Sequence, residues 1–218
     1  MNRTMNDMRR LQYSVRPFSL AASSFPSRWR CAAAILLFAF CGSLAAAAQT
    51  QSHFAVDPGQ SSVNFLLTGS HEVKGIFHIT SGDITFDRAT GHMNGKIVVD
   101  AGSGDSGEAS RDKKMKNDVL KVPSFPTVTF EPTSFSGQIA DSGSSQIQVK
   151  GTFTIIGQPH EIIVPMTVQL NGNHCTATGS FTVPYVQWGM KDPSVFILRV
   201  GKEVKIDLSL TGQITPAS

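Results

Sequence analysis

After residue 48 the sequence predicts an all-β fold of about eight antiparallel strands, and three observations support this. Apolar and polar residues alternate along successive segments, as in a sheet with one buried and one wet face. Turn-forming clusters such as DPGQ and ATGHMNG separate these segments. Only one segment has a helical pattern, which argues against a parallel sheet with alternating helices. Such a chain protects its sheet edges by closing a barrel or by stacking two sheets, and the pattern does not choose between them.

Residues 1–48 have the composition of a secretory signal peptide with a long n-region. The basic segment RWR precedes the apolar run CAAAILLFAFCGSL, and Ala46 and Ala48 are small residues suited to cleavage before Gln49. The alternative is an uncleaved membrane anchor, for which this apolar run is short. We therefore expect a periplasmic or secreted protein, with a single domain over residues 49–218.

The basic character of the whole chain comes from this leader. The formal net charge of all 218 residues is +3, from 19 basic and 16 acidic side chains. Six arginines and one aspartate precede residue 49, so the remainder has 13 basic and 15 acidic side chains and a net charge of −2. This balance gives no support for nucleic-acid binding. Cys175 is the only cysteine after residue 48, so a packed core rather than an intramolecular disulfide must stabilise the domain.

The strands are predicted from their period-two pattern. In chain order the segments after the opening HFAVDPGQ are SVNFLLTG, GDITFD, GKIVVD, TVTFEP, QIQVKGTFTI, EIIVPMTVQL, FTVPY and EVKIDLSL. Pro165 interrupts a good strand, which indicates a sheet edge or a bulge at that point. Large side chains on the apolar faces either pack together or surround a ligand, because both outcomes occur in eight-stranded barrels. These side chains are Phe65, Phe86, Phe130, Phe153, Phe181 and Met166.

The segment GEASRDKKMKNDVLKVPSFPTVTF interrupts the strand pattern. Asp105 and Glu108 have capping-box spacing, which predicts a short helix over about residues 106–120. Met115 and Val119 share a thin apolar face of this helix, and two prolines then prevent it from continuing. A helix with so little apolar surface is suited to lie across the open end of a barrel as a lid.

Five segments of the chain, taken in order, resemble the YceI-like family. They are VDPGQSSVNF, VKGIFHITSGDITFD, EASRDKKMKNDVLKVPSFPTVTF, GTFTIIGQPHEIIVPMTV and GKEVKIDLSLTG, so the resemblance covers about residues 53–213. The most specific part is Arg111-Asp112, a few helical residues, and an aromatic residue between prolines leading into Val-Thr-Phe. The resemblance implies an eight-stranded, antiparallel, lipocalin-like barrel with the short helix near residues 106–120 at its mouth. It also implies an apolar interior that holds a long lipid chain.

This resemblance implies an exported carrier for a polyisoprenoid, an isoprenoid quinone or a fatty-acid-like lipid, with no other cofactor. The inward strand residues would contact the tail, and the rim would consist of Met115, Phe125 and Trp188. Arg111 would contact the head group, because its guanidinium is a planar donor of several hydrogen bonds. The alternative for Arg111 is that it pairs with Asp112 or Glu108 and fixes the helix.

Catalysis and metal binding find little support in the sequence. It contains no GxSxG elbow, no phosphate-binding glycine loop, and no HxH or HxxxH pair among its 6 histidines. We expect neither a catalytic nor a metal site. Two alternatives stay open: a secreted lipid-modifying enzyme built on the same barrel, and a solid-cored structural or stress-response protein.

Contact with a membrane surface is a further expectation. The lysines of DKKMK and Lys121 are placed to face anionic lipid, although such a run also suits a solvated helix face. The segment YVQWGMKDPS carries amphipathic aromatic residues that would flank the mouth or touch a membrane, or would simply pin a loop. The sequence does not determine the oligomeric state, and a homodimer is one alternative.

Overall fold

The computed structural model describes residues 51–194 and 199–217. The predicted signal peptide, residues 1–48, lies outside these ranges. Within them the chain forms ten β segments: Gln51–Val56 (β1), Ser62–Gly69 (β2), Val73–Phe77 (β3), Ile79–Asp87 (β4), Met93–Asp100 (β5), Thr127–Gly137 (β6), Gly143–Ile155 (β7), Gln158–Asn171 (β8), His174–Val183 (β9) and Val200–Pro216 (β10).

These segments form one closed antiparallel sheet. The strand order is β1-β4-β5-β6-β7-β8-β9-β10, and β10 returns to pair with β1. At the point of closure, Phe54 of β1 lies opposite Ile214 of β10 on one side and Ile84 of β4 on the other. The ring of strands therefore has no free lateral edge at the β1–β10 closure, which is how a barrel avoids edge-to-edge association.

The ten segments make eight strands because two of the strands are interrupted. β1 and β2 lie end to end along β10, where β1 pairs with residues 212–216 and β2 with residues 200–209. Pro58 begins the 3-10 turn between them, and the Asp57 carboxylate accepts a hydrogen bond from the Gly59 N–H at 2.9 Å. β3 and β4 are likewise end to end, with His78 at the break. The predicted eight-stranded antiparallel barrel is confirmed.

The two ends of the barrel are closed by different connections. One end, called here the far end, has short turns at residues 88–92, 138–142 and 172–173. The other, called the helix end, has the β2–β3 and β7–β8 turns, the long β5–β6 insertion and the β9–β10 connection. Antiparallel strands alternate in direction, so every second connection lies at the same end of the barrel. Both long connections, β5–β6 and β9–β10, therefore lie at the helix end.

The β5–β6 insertion contains the helix, at the predicted position but with a different start. It consists of a 3-10 turn (Ala101–Ser103), an α-helix (α1, Ala109–Lys114) and a π-helical turn (Met115–Val119). Glu108 is the N-cap residue, and its carboxylate accepts hydrogen bonds from the N–H groups of Ser110 and Arg111 at 2.9 and 2.8 Å.

Asp105, which the capping-box pattern placed at the helix start, instead pairs with a strand. Its N–H and carbonyl exchange hydrogen bonds with Ile76 of β3 at 3.0 and 2.9 Å. Gly107, with φ of 79°, then turns the chain into the helix. The insertion is thus anchored to the sheet before α1 begins. Among the described residues, no helix has the length and apolar character needed to cross a bilayer.

Pro165 marks the point where β8 separates from β9. The β8–β9 pairs run only from Met166 opposite Gly179 to Asn171 opposite His174, and residues 158–165 pair with β7 alone. A proline has no N–H to donate to a neighbouring strand, so it suits the place where pairing ends. Of the two alternatives predicted at Pro165, a sheet edge or a bulge, this register favours the edge.

Candidate ligand-binding cavity

A cavity of about 520 Å³ lies inside the barrel. Residues from all ten β segments line it, and most of them are apolar. Its exposed lining residues all belong to the helix end: Ser70, His71, Glu108, Ser110, Lys114 and Arg199. The cavity therefore opens to solvent at the helix end and is enclosed by apolar side chains along the rest of its length.

The six strand residues predicted to contact a lipid tail all line this cavity. Phe65 and Phe86 are buried, as is Met166, whereas Phe130, Phe153 and Phe181 are half-buried. Several rings pack in pairs along the wall: Phe153 lies 5.5 Å from Phe181 between ring centroids, and Phe65 lies 5.3 Å from Phe77. The rings thus contact one another and still leave space along the barrel axis. Their contact with a ligand stays a prediction.

Packed side chains close the cavity at the far end. Leu170 and Phe135 belong to the buried core there, do not line the cavity, and have exposed fractions of 3% and 8%. Cys175 lines the end of the cavity and is buried, and this burial raises the pKa of its thiol to about 11. A thiol with so high a pKa is protonated at neutral pH and is a poor nucleophile. Cys175 therefore contributes apolar packing, as a small buried side chain.

Arg111 lies at the mouth and holds the start of the helix through Ser106. Its Nε donates to the Ser106 hydroxyl and its Nη2 to the Ser106 carbonyl, both at 2.7 Å. The Ser106 hydroxyl in turn donates to the buried carboxylate of Asp112 at 2.5 Å. Arg111 thus lines the cavity and also fixes the helix, but Ser106, rather than Asp112 or Glu108, is the group its side chain binds. Within the described residues its Nη1 has no hydrogen-bond partner, so it remains available to a ligand.

Other charged groups surround Arg111 at the opening. Lys114 and Arg199 add two cations to the lining, and Glu108 adds one carboxylate. Hydrogen bonds from the Ser110 hydroxyl, then from the N–H groups of Ser110 and Arg111, hold the pKa of Glu108 below its ordinary value. Glu108 is therefore ionised at neutral pH, and the mouth keeps an excess of positive charge.

Only one of the three residues predicted to form the rim lines the cavity. Met115 lines the cavity, whereas Phe125 and Trp188 do not. Trp188 stacks on His160 with ring centroids 3.9 Å apart, and it lies 6.0 Å from Phe153. It covers the inner face of β8 where this strand has separated from β9. Phe125 packs beside the β7–β8 turn, where its ring lies against Gly157.

Sequence reasoning missed several lining residues at the helix end. Tyr185 and Met190 are buried, line the cavity, and come from the β9–β10 connection. The Tyr185 hydroxyl donates to the Gly201 carbonyl at 2.7 Å, and burial raises the pKa of this phenol to about 12. The signal was the cluster of aromatic residues in YVQWGMKDPS, but the pattern did not show which ring faced inwards.

Within residues 51–194 and 199–217, no group of three or more His, Cys, Asp or Glu side chains is placed to hold a metal ion. The strongest chemical features of the interior are therefore its apolar wall and its cationic opening.

The sequence profile of the YceI-like domain matches residues 54–212. The chain belongs to the YceI-like family. Among curated proteins, it is similar to UPF0312 proteins of Vibrio cholerae (32% identical over 108 residues, 48% of this chain and 55% of the relative) and of Vibrio vulnificus (32% over 114 residues, 50% and 55%). The chain thus spans about half the length of the curated relatives it matches.

Several solved structures share the fold. BcnA of Burkholderia cenocepacia is 23% identical, with a TM-score of 0.59 over 72% of this chain and 99% of that one. A polyisoprenoid binding domain from Saccharophagus degradans, implicated in plant cell wall breakdown, is 15% identical, with a TM-score of 0.60 over 74% and 98%. The YCEI protein of Campylobacter jejuni is also 15% identical, with a TM-score of 0.53 over 67% and 87%. At these identities the likeness is one of fold.

Proposed function

We propose that this YceI-like protein is a carrier that encloses one long-chain lipid, with the chain inside the barrel and the head group at the helix end. One observation carries the proposal: the cavity is apolar along its length, and all its exposed lining residues lie at one end. A small-molecule site is usually a concave, mainly apolar pocket with a few polar groups that fix orientation, with a volume of about 300–1,000 Å³. The fold likeness to a polyisoprenoid binding domain supports the same ligand class.

Burial of the chain supplies the affinity in this proposal. Each methylene transferred from water contributes about 0.8 kcal/mol, so about ten of them contribute roughly 8 kcal/mol. Association costs of about 4 kcal/mol or more are subtracted from this sum. The remaining free energy allows a carrier to hold its ligand reversibly without any covalent bond or reactive side chain.

The mouth would select the head group. Arg111, Lys114 and Arg199 line the opening, so they favour a head group with exposed oxygen acceptors, such as a phosphate, a carboxylate or a quinone carbonyl. A long polyisoprenoid, an isoprenoid quinone or a fatty acid satisfies both this requirement and the apolar wall. We also propose that the protein acts outside the cytoplasm after cleavage before Gln49, which the composition of residues 1–48 supports and which N-terminal sequencing of the purified protein tests.

Native mass spectrometry, with lipid extraction of the same sample, tests the carrier proposal. The expected result is one lipid per chain, recovered chemically unchanged. A lipid-modifying enzyme would instead release an altered lipid during incubation. A solid-cored protein would show the bare mass and would take up neither a quinone nor a polyprenol.

A pair of neighbouring substitutions on β9 makes this test specific to the cavity. Ala177 is buried and lines the cavity, whereas Thr178 is exposed and points outwards. Ala177→Phe should fill part of the cavity and reduce lipid occupancy, while Thr178→Phe adds the same ring to the outer surface and should leave occupancy unchanged. Equal occupancy in the two variants would contradict lipid binding inside the barrel.

A further inference from the structure

We propose that the helix end of the barrel is a docking surface for membranes that carry anionic lipids. The inference rests on the proposed carrier function for its purpose, since a carrier must meet a membrane to load or release lipid. The surface itself is defined by how charged side chains are paired and distributed over it.

On the barrel wall, basic side chains are paired with carboxylates, whereas most of those around the mouth have no such partner. In the part of the chain that the structure describes, six of the 13 basic residues form ion pairs. Three of these pairs lie on the wall: Lys96 with Glu131 at 2.6 Å, Lys205 with Asp207 at 3.0 Å and Lys150 with Glu161 at 3.3 Å. The remaining seven have no ion-pair partner among the described residues, and all belong to the helix end: Arg111, Lys113, Lys114, Lys116, Lys121, Arg199 and Lys202.

Most acidic side chains of the helix end are engaged locally. Asp112 is buried, and its carboxylate accepts hydrogen bonds from Ser106. Asp105 and Glu108 accept hydrogen bonds from backbone N–H groups, and Asp118 pairs with Lys191 at 3.3 Å. Hydrogen bonds from Ser194, together with the nearby Lys202, hold the pKa of Asp192 below its ordinary value. These carboxylates are therefore engaged within the protein, while Lys113, Lys114, Lys121 and Lys202 are exposed to solvent.

The charges also differ in sign between the two parts of the barrel. Residues 70–74, 101–126, 184–194 and 199–203 carry nine basic and seven acidic side chains, a net charge of +2. The rest of the described chain carries four basic and eight acidic side chains, a net charge of −4. In the field of an anionic surface, this asymmetry turns the mouth towards the surface and the rest of the barrel away from it.

A membrane fits this surface better than a nucleic acid does. Trp188 stacks on His160, and Phe125 packs against the β7–β8 turn, so neither ring is free to stack on a base. Ile163 is the most exposed large apolar side chain among the described residues, and it lies on β8 outside the mouth. Docking would thus be electrostatic and reversible rather than insertive, and salt would weaken it. In this orientation the cavity opens directly onto the lipid surface.

Binding to vesicles tests the docking surface with two variants of equal net charge. The first, Lys113→Gln/Lys116→Gln/Lys121→Gln, removes three mouth lysines that do not line the cavity. The second, Lys96→Gln/Lys150→Gln/Lys205→Gln, removes three wall lysines. Co-flotation is measured at low salt with vesicles of phosphatidylcholine, with and without phosphatidylglycerol, and native mass spectrometry of the same samples reports lipid occupancy.

The unsubstituted protein should bind only the vesicles that contain phosphatidylglycerol. The mouth variant should bind them on the order of 100-fold more weakly, since each lysine near an anionic surface contributes roughly a factor of five. The wall variant should bind like the unsubstituted protein. Equal loss in both variants, or binding that does not depend on phosphatidylglycerol, would overturn the docking surface. A chain that floats as expected but never holds lipid would overturn the carrier function and leave this inference standing.

Discussion

The two ends of the barrel are made from the same strands but are closed in different ways. At the far end, short turns bring the strands together and side chains such as Leu170 fill the interior. At the helix end, long connections cover the opening, and cationic groups line it. A barrel closed identically at both ends would hold a chain in either direction. Under the proposed function, the difference between the ends would give a bound lipid a direction.

The same difference would place the most stable packing at the far end and ligand exchange at the helix end. Close packing at the far end makes that end rigid and excludes water. At the helix end, hydrogen bonds between residues close in sequence hold the start of α1, namely the Glu108 cap and the Ser106–Arg111 bonds. Segments with fewer buried contacts open at lower free-energy cost than the core. We expect ligand exchange to take place through the helix end.

The largest effect is expected from truncating a packed leucine at the far end. Leu170→Ala should lower the free energy of unfolding by about 3–4 kcal/mol, because the cavity it leaves is enclosed on all sides. Leu120→Ala is the matched change at the helix end. Leu120 is also buried but already borders the cavity, so its loss should cost only about 2 kcal/mol. Urea denaturation of both variants measures the two values, and a larger loss for Leu120→Ala would reverse the assignment of the rigid end.

A smaller loss of stability, with faster exchange, is expected from Trp188→Ala. Removing the indole takes away its stack on His160 and its contact with Phe153, which together are worth about 1–2 kcal/mol. It also uncovers the inner face of β8, where the buried His160 Nε2 has no hydrogen-bond partner and would gain access to water.

The dissociation rate of a bound fluorescent fatty acid should therefore rise in Trp188→Ala. Trp188→Phe, which keeps a ring against His160, should restore most of the slow release. If Trp188→Ala released the ligand no faster than the unsubstituted protein, the β9–β10 connection would not control exchange.

Much of the barrel was predictable because period-two alternation is a local property of a strand. It placed the five phenylalanines and Met166 on the inner face, since a residue's side of the sheet depends only on its parity. The helix was also predictable as an interruption of that pattern. The choice of a closed barrel over two stacked sheets depended on the family resemblance. Closure requires β1, the first strand, to pair with β10, the last, and no local pattern shows such a distant pairing.

The mouth was less predictable because its geometry depends on contacts between distant segments. The π-helical turn, in which the Leu120 N–H donates to the Met115 carbonyl at 2.9 Å, brings Leu120 to the cavity beside the predicted Met115 and Val119. Trp188 was expected at the rim, but its stack on His160 requires β8 and β9 to separate at Pro165. No local pattern encodes such a separation, since it is decided by the register of two strands.

The smallest effect is expected from the helix cap, and it should depend on pH. Hydrogen bonds from Ser110 and Arg111 lower the pKa of Glu108 below its ordinary value of 4.5. A carboxylate with a lowered pKa in the folded state stabilises the fold above its unfolded pKa, and this contribution is lost as the pH falls through the folded pKa. Glu108→Gln should therefore lower the melting temperature at neutral pH, and the difference from the unsubstituted protein should disappear in acid.

Glu203→Gln provides the control for that measurement, because Glu203 is an exposed acid at the same end with no ion-pair or hydrogen-bond partner among the described residues. It changes the net charge by the same amount but removes no cap, so its melting temperature should follow that of the unsubstituted protein at every pH. Hydrogen exchange would locate the effect: faster exchange in residues 109–119 of Glu108→Gln at neutral pH, with the far end unchanged, is the expected pattern. Faster exchange at both ends would mean that the cap is coupled to the whole barrel, and the helix end would then not open as a separate unit.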